Sequence, residues 1–423
     1  MFKILLSIVL LVCNLLAADA YIDIEKSAVS LPKIAVEAYN NETVTPFERA
    51  QLDTMVLNDI RVSDHFENGE ITWAKPGFAS PVDFDSLIAQ NYALLFRYRV
   101  FKQDNMVVME VNLYDVTKKS LAFNKKFAVS EFDKYPFLSH KAAIAVNNYL
   151  GAPSIDWMDK FVVFAKFIAN KQSNILIGDY TLTYQKTLVS GGYNTFPKWA
   201  GADQKAFYYT AYTPLPTLYK YDIYTGQKTK LITAQGMLVC SDVSKDGSKL
   251  LVTMPGSSGL PDIWLYNVNN GEKRNLTNFP GIDVNGKFID GESRVAFVSD
   301  RLGAPTVFAQ RVNDGGGLQQ LLFSRNNTAF ATNNNKIVYA SADGPQGMAG
   351  TGVNVYMTDS TKPTPMRLTV SGSNDYPHLS EAGDAILFTR KDNGKSYVGI
   401  IRLNTNSTFL FPANLGAIRS LDW

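Results

Sequence analysis

Three histidines (His65, His140, His378) and two cysteines (Cys13, Cys240) are the whole supply of imidazole and thiol chemistry in 423 residues. A Cys/His zinc site needs four such ligands at short spacing, and these are scattered, so no metal site is expected. Nucleophilic hydrolysis on a strand-to-helix elbow needs G-x-S-x-G. Gly256-Ser-Ser-Gly259 has the wrong spacing and reads as a turn. No Walker A sequence and no GxGxxG ahead of a helix is present, and Gly315-Gly-Gly317 has no following helix to bind phosphate. His378 stands without a paired nucleophile or base and reads as structural. The acidic residues Asp242, Asp283 and Asp375 recur near the openings of repeated units, where they could meet and hold a cation, but no ligand cluster is legible. No catalytic residue and no cofactor is expected.

The chain carries 41 Lys and Arg against 39 Asp and Glu, a formal net charge of +2. That balance offers no attraction to nucleic acid or to an anionic membrane. Hydrophobic residues make up 46% and aromatic residues 12%, a globular composition long enough for two domains with buried cores. Residues 1–20 read as a secretory signal: Lys3 gives the positive start, Ile4–Leu16 the apolar core, and Ala18-Asp-Ala20 the cleavage site. Val12 is a poor neighbour for lipidation of Cys13. Cleavage leaves Cys240 alone, as a small hydrophobe in a strand. No later stretch reaches the roughly 18 apolar residues of a membrane helix.

What must position any function is a repeated β unit. Short apolar runs start at Lys160, Lys205, Lys249, Arg294, Lys336 and Ala385, at intervals of 45, 44, 45, 42 and 49 residues. A repeat of that length built from short β-rich runs is a sign of propeller blades, so six copies predict six blades. Within each unit an opening segment precedes the apolar run, and a third and fourth strand follow. Tyr224-Thr-Gly226, Asn269-Asn-Gly271 and Asn313-Asp-Gly315 supply the last hairpins. The first unit lacks its opening segment, while Ala417–Trp423 looks like an opening strand with no unit after it. The two deficits cancel if Ala417–Trp423 pairs with Phe161–Ala165 and closes the ring, which removes an open edge.

Ahead of the repeats, Lys33–Tyr39 alternates like a strand, and Thr45-Pro-Phe-Glu48 is a capping box with proline at the first helical position. Leu52, Met55, Val56 and Ile60 then share one helical face. Tyr92–Val100, Met106–Tyr114 and Ser120–Val129 alternate as three strands. Ser139 is the expected cap of a second helix that Gly151 and Pro153 stop after Leu150. These elements predict an α+β domain ending near residue 155.

Several stretches then carry a resemblance: Val56-Leu-Asn-Asp-Ile-Arg-Val-Ser-Asp-His-Phe66, Ser139-His-Lys141 through Asn148-Tyr-Leu-Gly151, Ser244-Lys-Asp-Gly-Ser-Lys-Leu-Leu251, Asn275-Leu-Thr-Asn278 and Phe297-Val-Ser-Asp-Arg301. Together with the signal and the N-terminal domain, they resemble the TolB family, periplasmic propeller proteins of the Tol–Pal system. The chain departs from that family in having Lys245 where a blade motif has proline, and Met237 where many members carry histidine. The resemblance implies an α+β N-terminal domain over 21–155, an all-β six-bladed β-propeller over 156–423, a monomer, and no reaction. It implies two partners: Pal, an OmpA-type peptidoglycan-associated lipoprotein, at the propeller, and TolA at the N-terminal tail. For TolA the expected contacts are Tyr21, Ile22, Asp23 and Ile24, whose alternation also fits a strand of the small domain itself. For Pal they are Met237, Leu238, Ile282, Asp283, Arg301, Asn327, Thr328 and Tyr376, in or beside the loops that gather on one face. The role implied is outer-membrane integrity and invagination during division. The alternative is a secreted propeller hydrolase, which needs a catalytic constellation or a further domain.

Overall fold

Thr45 starts α1 (Pro46–Ser63). Its hydroxyl accepts from the Glu48 amide at 3.2 Å, and the Glu48 carboxylate accepts from the Thr45 amide at 2.9 Å. This is the reciprocal cap that the sequence predicts, and Pro46 presets the first helical φ. Asp64, left-handed at φ 59°, ends the helix. The computed structural model describes residues 31–39, 43–67, 71–72, 77–322, 327–343, 349–362, 364–413 and 418–423. The expected signal and the Tyr21–Ile24 tail lie outside the described residues.

Five strands, β1 (Ile34–Tyr39), β2 (Ile71–Thr72), β3 (Leu94–Gln103), β4 (Met106–Asp115) and β5 (Ser120–Val129), form a sheet in the order β2–β1–β3–β4–β5. β1 runs parallel to β2 and β3, and the rest is antiparallel. Phe96, Tyr98, Met109 and Val111 point to one face, where Leu52, Met55, Val56 and Ile60 of α1 meet Leu138, Ala142 and Val146 of α3 (Tyr135–Leu150) in one core. A short helix, α2 (Phe84–Ala89), which the sequence did not predict, lies between β2 and β3 under an Asp83 cap. Ser139 is not the cap of α3. That helix begins one turn earlier at Tyr135 with Pro136 in its first turn, and Gly151 closes it at φ 64°. The Ser139 side chain is buried and donates instead to Asp59 of α1 at 2.5 Å.

Among the described residues, twenty-four strands follow. β6 (Val162–Ala169), β7 (Gln172–Gly178) and β8 (Gln185–Val189) are joined by β9 (Tyr193–Trp199), β10 (Ala206–Thr213), β11 (Leu215–Asp222) and β12 (Lys228–Thr233). Next come β13 (Val239–Val243), β14 (Lys249–Pro255), β15 (Pro261–Asn267) and β16 (Lys273–Asn275), then β17 (Asp283–Ile289), β18 (Arg294–Ser299), β19 (Thr306–Arg311) and β20 (Gln319–Gln320). The last are β21 (Asn327–Asn333), β22 (Lys336–Asp343), β23 (Ala349–Asp359) and β24 (Met366–Arg367), then β25 (Ser373–Leu379), β26 (Ala385–Asp392), β27 (Lys395–Arg402), β28 (Ser407–Pro412) and β29 (Ile418–Asp422). From β13 to β28 they form four antiparallel sheets of four strands each, in chain order. β6–β12 and β29 make an eight-stranded sheet, whose two halves meet in a single parallel pairing of Ser173 with Tyr193. The opening strands β9, β13, β17, β21, β25 and β29 touch one another in a closed circle. Each sheet therefore has its first strand at the centre and its later strands outside. Between neighbouring sheets lie apolar layers, such as Leu251, Ile263, Val295 and Phe297.

β29 completes that circle. It pairs antiparallel with β6, placing Ser420 opposite Ala165 and Leu421 opposite Phe164. Trp423 packs edge-on against Trp157 with ring centroids 5.3 Å apart. The Asp422 carboxylate accepts from Lys198 Nζ and from the Trp199 amide, each at 2.8 Å, and lies 3.3 Å from His378 Nδ1. Removing residues 417–423 exposes the edge of β6 and strands the half-buried Lys198. The truncated chain is expected to lose at least about 3 kcal/mol of unfolding free energy. Urea titration checks this, and an unchanged midpoint contradicts it.

The N-terminal sheet and helices are fixed to the strand-rich part by a buried polar cluster. Tyr180, after β7, donates to Asp59 at 2.6 Å. His140 lies with Nδ1 2.8 Å from Asp59 and Nε2 3.4 Å from Asp179, and all three side chains are fully buried. Burial alone opposes charge on the imidazole, but the two carboxylates outweigh it and hold its pKa up at about 9. A pKa raised above the ordinary 6.5 stabilises the fold fully below pH 6.5, and that stability is lost as pH rises through about 9. Thermal stability should therefore fall between these values in the native chain and fall less in His140→Gln. Parallel slopes in the two chains contradict this account.

Candidate protein interface

Because the strands within each sheet alternate in direction, the loops from fourth to first strands and those from second to third strands share one face. The other turns share the opposite face. Met237 and Ile282, both between a fourth and a first strand, are 38% and 41% exposed. Ile282 is held in place: its amide donates to Asp300 Oδ1 at 2.9 Å. Gly281 beside it has no room for a side chain, since a Cβ would lie 2.4 Å from Asp300 Oδ1. Leu238 is fully buried, packed with Leu218, Leu250 and Val252, and its carbonyl accepts from Thr210 at 2.7 Å. It supports the Met237 loop from beneath rather than facing solvent.

The buried Asp283 pairs with the partly exposed Arg301. The Arg301 guanidinium donates to both Asp283 oxygens at 3.1 and 3.0 Å and to Ser299 Oγ at 2.8 Å, and it lies over the rings of Phe279, Phe297 and Phe308. Burial pushes the Asp283 carboxyl up, against the pull of Ser299 and Arg301. Nη2 shared between both Asp283 oxygens, Nε held by Ser299 and a guanidinium set over aromatic rings make a rigid buttress under the Ile282 loop. Asn327 and Thr328 open β21. Tyr376 lies inside β25, where a register shift gives it φ 50°, and it packs against the core beneath. The structure thus places Met237 and Ile282 on the surface, Leu238 and Asp283 under it, and Tyr376 within an inner strand.

The sequence places the loops between second and third strands on this face through Arg301, but it did not single out their aliphatic side chains. Ile168, Leu215, Leu260 and Leu302 sit at or beside turns between second and third strands, and Val370 sits between β24 and β25; all are exposed, Val370 to 78%. Their signal was available: each is an aliphatic residue next to a turn, where chain reversals favour polar residues. With Met237 and Ile282 they make a broken ring of aliphatic side chains on one face. On the opposite face, among the described residues, Tyr224, Leu318 and Met366 are the large apolar side chains exposed at or beside turns.

At the centre, the opening strands gather a charged cluster. Lys198 lies 2.8 Å from Asp422 and 3.6 Å from Asp242, which also accepts from the Phe288 amide at 2.8 Å. Lys287 donates to the Ser241 carbonyl. Burial, together with the charge of Lys198, brings Lys287 down to about 8. Burial also lowers His378, although Asp422 pulls the other way. Asp242, Asp283 and Asp375 are each held by separate protein partners, Asp375 by the Tyr376 amide at 2.9 Å. Among the described residues no group of three or more His, Cys, Asp or Glu is arranged to hold a metal ion, and no helix is long and apolar enough to cross a membrane.

Four-stranded sheets set around a ring of first strands, behind an N-terminal sheet with its helices, define a β-propeller protein. Two family descriptions match the sequence: the TolB amino-terminal domain over residues 20–122 and the TolB beta propeller domain over residues 159–423. The Tol-Pal system protein TolB of Wolinella succinogenes is 38% identical over 412 residues, covering 97% of each chain. That of Helicobacter pylori strain HPAG1 is 34% identical over 413 residues, again covering 97% of each. The crystal structure of TolB from Acinetobacter baumannii superposes with a TM-score of 0.74 over 92% of this chain and 96% of that one, at 20% identity, and so matches in fold. The chain belongs to the TolB family of Tol–Pal system proteins.

Buried and surface positions in one loop should separate cleanly. Leu238→Ala is expected to lower unfolding free energy by about 2–5 kcal/mol, and Met237→Ala by no more than about 0.5 kcal/mol. Equal losses in chemical denaturation would contradict the placement of Leu238.

Proposed function

We propose that this chain is a non-catalytic docking protein of the Tol–Pal system, working in the periplasm after removal of residues 1–20. Residues 21–155 form its N-terminal domain. Residues 156–423 form a six-bladed propeller, each blade a four-stranded unit, with the first completed by the C-terminal strand. The partner held at the propeller is Pal, an OmpA-type lipoprotein, bound without reaction by the loop face around Met237, Ile282, Asn327 and Thr328, with Leu238, Asp283, Arg301 and Tyr376 fixing that face from within. The N-terminal tail, Tyr21-Ile-Asp-Ile24, adds as a strand to an edge of TolA. Holding both partners serves outer-membrane integrity during division. The observation that carries this reading is the exposed aliphatic ring on one face of a TolB-family propeller: apolar anchors of this kind, set on a rigid frame, suit a specific protein interface.

The test is binding of the secreted chain to the soluble domain of Pal from the same bacterium. Ile282→Arg is expected to weaken binding at least about tenfold, or about 1.4 kcal/mol. Thr225→Arg, in the β11–β12 hairpin on the opposite face, should leave it unchanged. Equal losses from the two would place the contact elsewhere. Removing Tyr21–Glu25 should abolish TolA capture while sparing Pal binding, and TolA capture by the shortened chain would rule the tail out as the contact.

A further inference from the structure

The loops of the docking face differ from those of the opposite face in charge as well as in apolar exposure. Four successive loops, residues 213–215, 233–238, 255–261 and 276–282, contain no Asp, Glu, Lys or Arg. They present Leu215, Met237, Leu260 and Ile282. The same sheets turn on the opposite face through Asp203, Lys205, Lys228, Lys245, Asp246, Lys249, Glu272 and Lys273. Hairpins of one architecture, on the same strands, are thus charged on one side and uncharged on the other. Solubility alone favours charge at all of them. Beyond the sector lies Leu302, whose charged neighbours are already engaged: Asp300 accepts from the Ile282 amide and Arg301 is paired with Asp283. On the other side, Lys171, at the β6–β7 turn, bounds the sector.

Resting on the reading given above, we propose that this uncharged sector, from Leu215 to Ile282 and bordered by the aliphatic Leu302, is the part of the face that selects the partner, and that it takes a protein surface that is itself uncharged and apolar. A charge on the partner brought against these loops would lose its water and find no counter-ion, which opposes binding. An aliphatic or aromatic side chain would instead remove apolar area from water on both sides. Association is then governed by burial, and it lacks the salt dependence of steered complexes.

Calorimetric titration of the secreted chain with the soluble Pal domain, at about 0.05 M and about 1 M NaCl, separates the possibilities; across that range the screening length falls to about 3 Å. The expected result is a Kd that changes less than about threefold, with Leu260→Asp and Leu302→Asp each weakening it at least about tenfold, or about 1.4 kcal/mol, at unchanged melting temperature. A Kd that weakens tenfold or more in high salt, or full binding by both Asp variants, overturns the apolar sector while leaving Pal as the partner. No binding by the native chain at either salt overturns the partner reading and the sector together. Two further controls exclude other occupants. Self-association of the native chain in sedimentation, lost in Leu260→Asp, would assign the sector to a second copy. Co-sedimentation with neutral phosphatidylcholine vesicles, lost in the same variant, would assign it to lipid. Either result overturns the proposal.

Discussion

Asp422 is the interaction on which the ring depends. One carboxylate on the last strand accepts from Lys198 and from the Trp199 amide on β9 and lies against His378 on β25. It therefore ties the end of the chain to sheets on both sides of the seam. Burial opposes its charge, but Lys198 and His378 hold its carboxyl well below the usual carboxylate range. Burial opposes the charge on Lys198 too, yet Asp422 and Asp242 keep its pKa above the ordinary lysine value. A buried pair of this kind adds little net stability over an apolar pair, but it is intolerant of a missing partner. Its value is in register: slipping β29 by one residue would turn Asp422 outward and leave Lys198 without its closest carboxylate.

Once the ring is closed, the loops inherit its rigidity. The Ile282 loop is fixed by Asp300 and buttressed by the Asp283–Arg301 pair, and the Met237 loop stands on the buried Leu238. Side chains held by packed neighbours lose little further freedom on binding, which favours affinity. The N-terminal part shares in this frame, because Asp59 takes hydrogen bonds from Ser139 on its own side and from Tyr180 on the other. Phe137 of α3 and Tyr184 beyond β7 continue the same apolar core across the junction.

Much of the fold was legible because apolar periodicity survives in this sequence. The runs at Lys249 and Arg294 became β14 and β18, and Thr45 with Glu48 marked the start of α1. The starts and stops were harder. Ser139 has the side chain of a cap, but its hydroxyl is used across the junction, and Pro136 had already begun the helix. The central charges were legible in part. Asp242 stood out among the acidic residues that could meet near the openings of the units, but its basic partners Lys198 and Lys287 did not, because only ring closure turns their side of the strand into an interior. The docking face was legible in part. Met237 and Ile282 stood out as loop residues, whereas Leu238, adjacent to Met237, points into the core because the strand that begins at Val239 sets its direction. The loops between second and third strands were legible as part of that face, but only Arg301 among them was singled out; Leu215, Leu260 and Leu302 were passed over, because their exposure is set by the assembled ring.

The central claim is that one face of the ring is for contact and the other is for water. Amide hydrogen exchange of the chain lacking residues 1–20, with and without saturating Pal domain, tests it most directly. The account predicts slowed exchange in residues 233–238 and 276–282, with no change in the turns at 222–228 and 244–249. Slowed exchange at 222–228 and 244–249, with 233–238 and 276–282 unaffected, would contradict it.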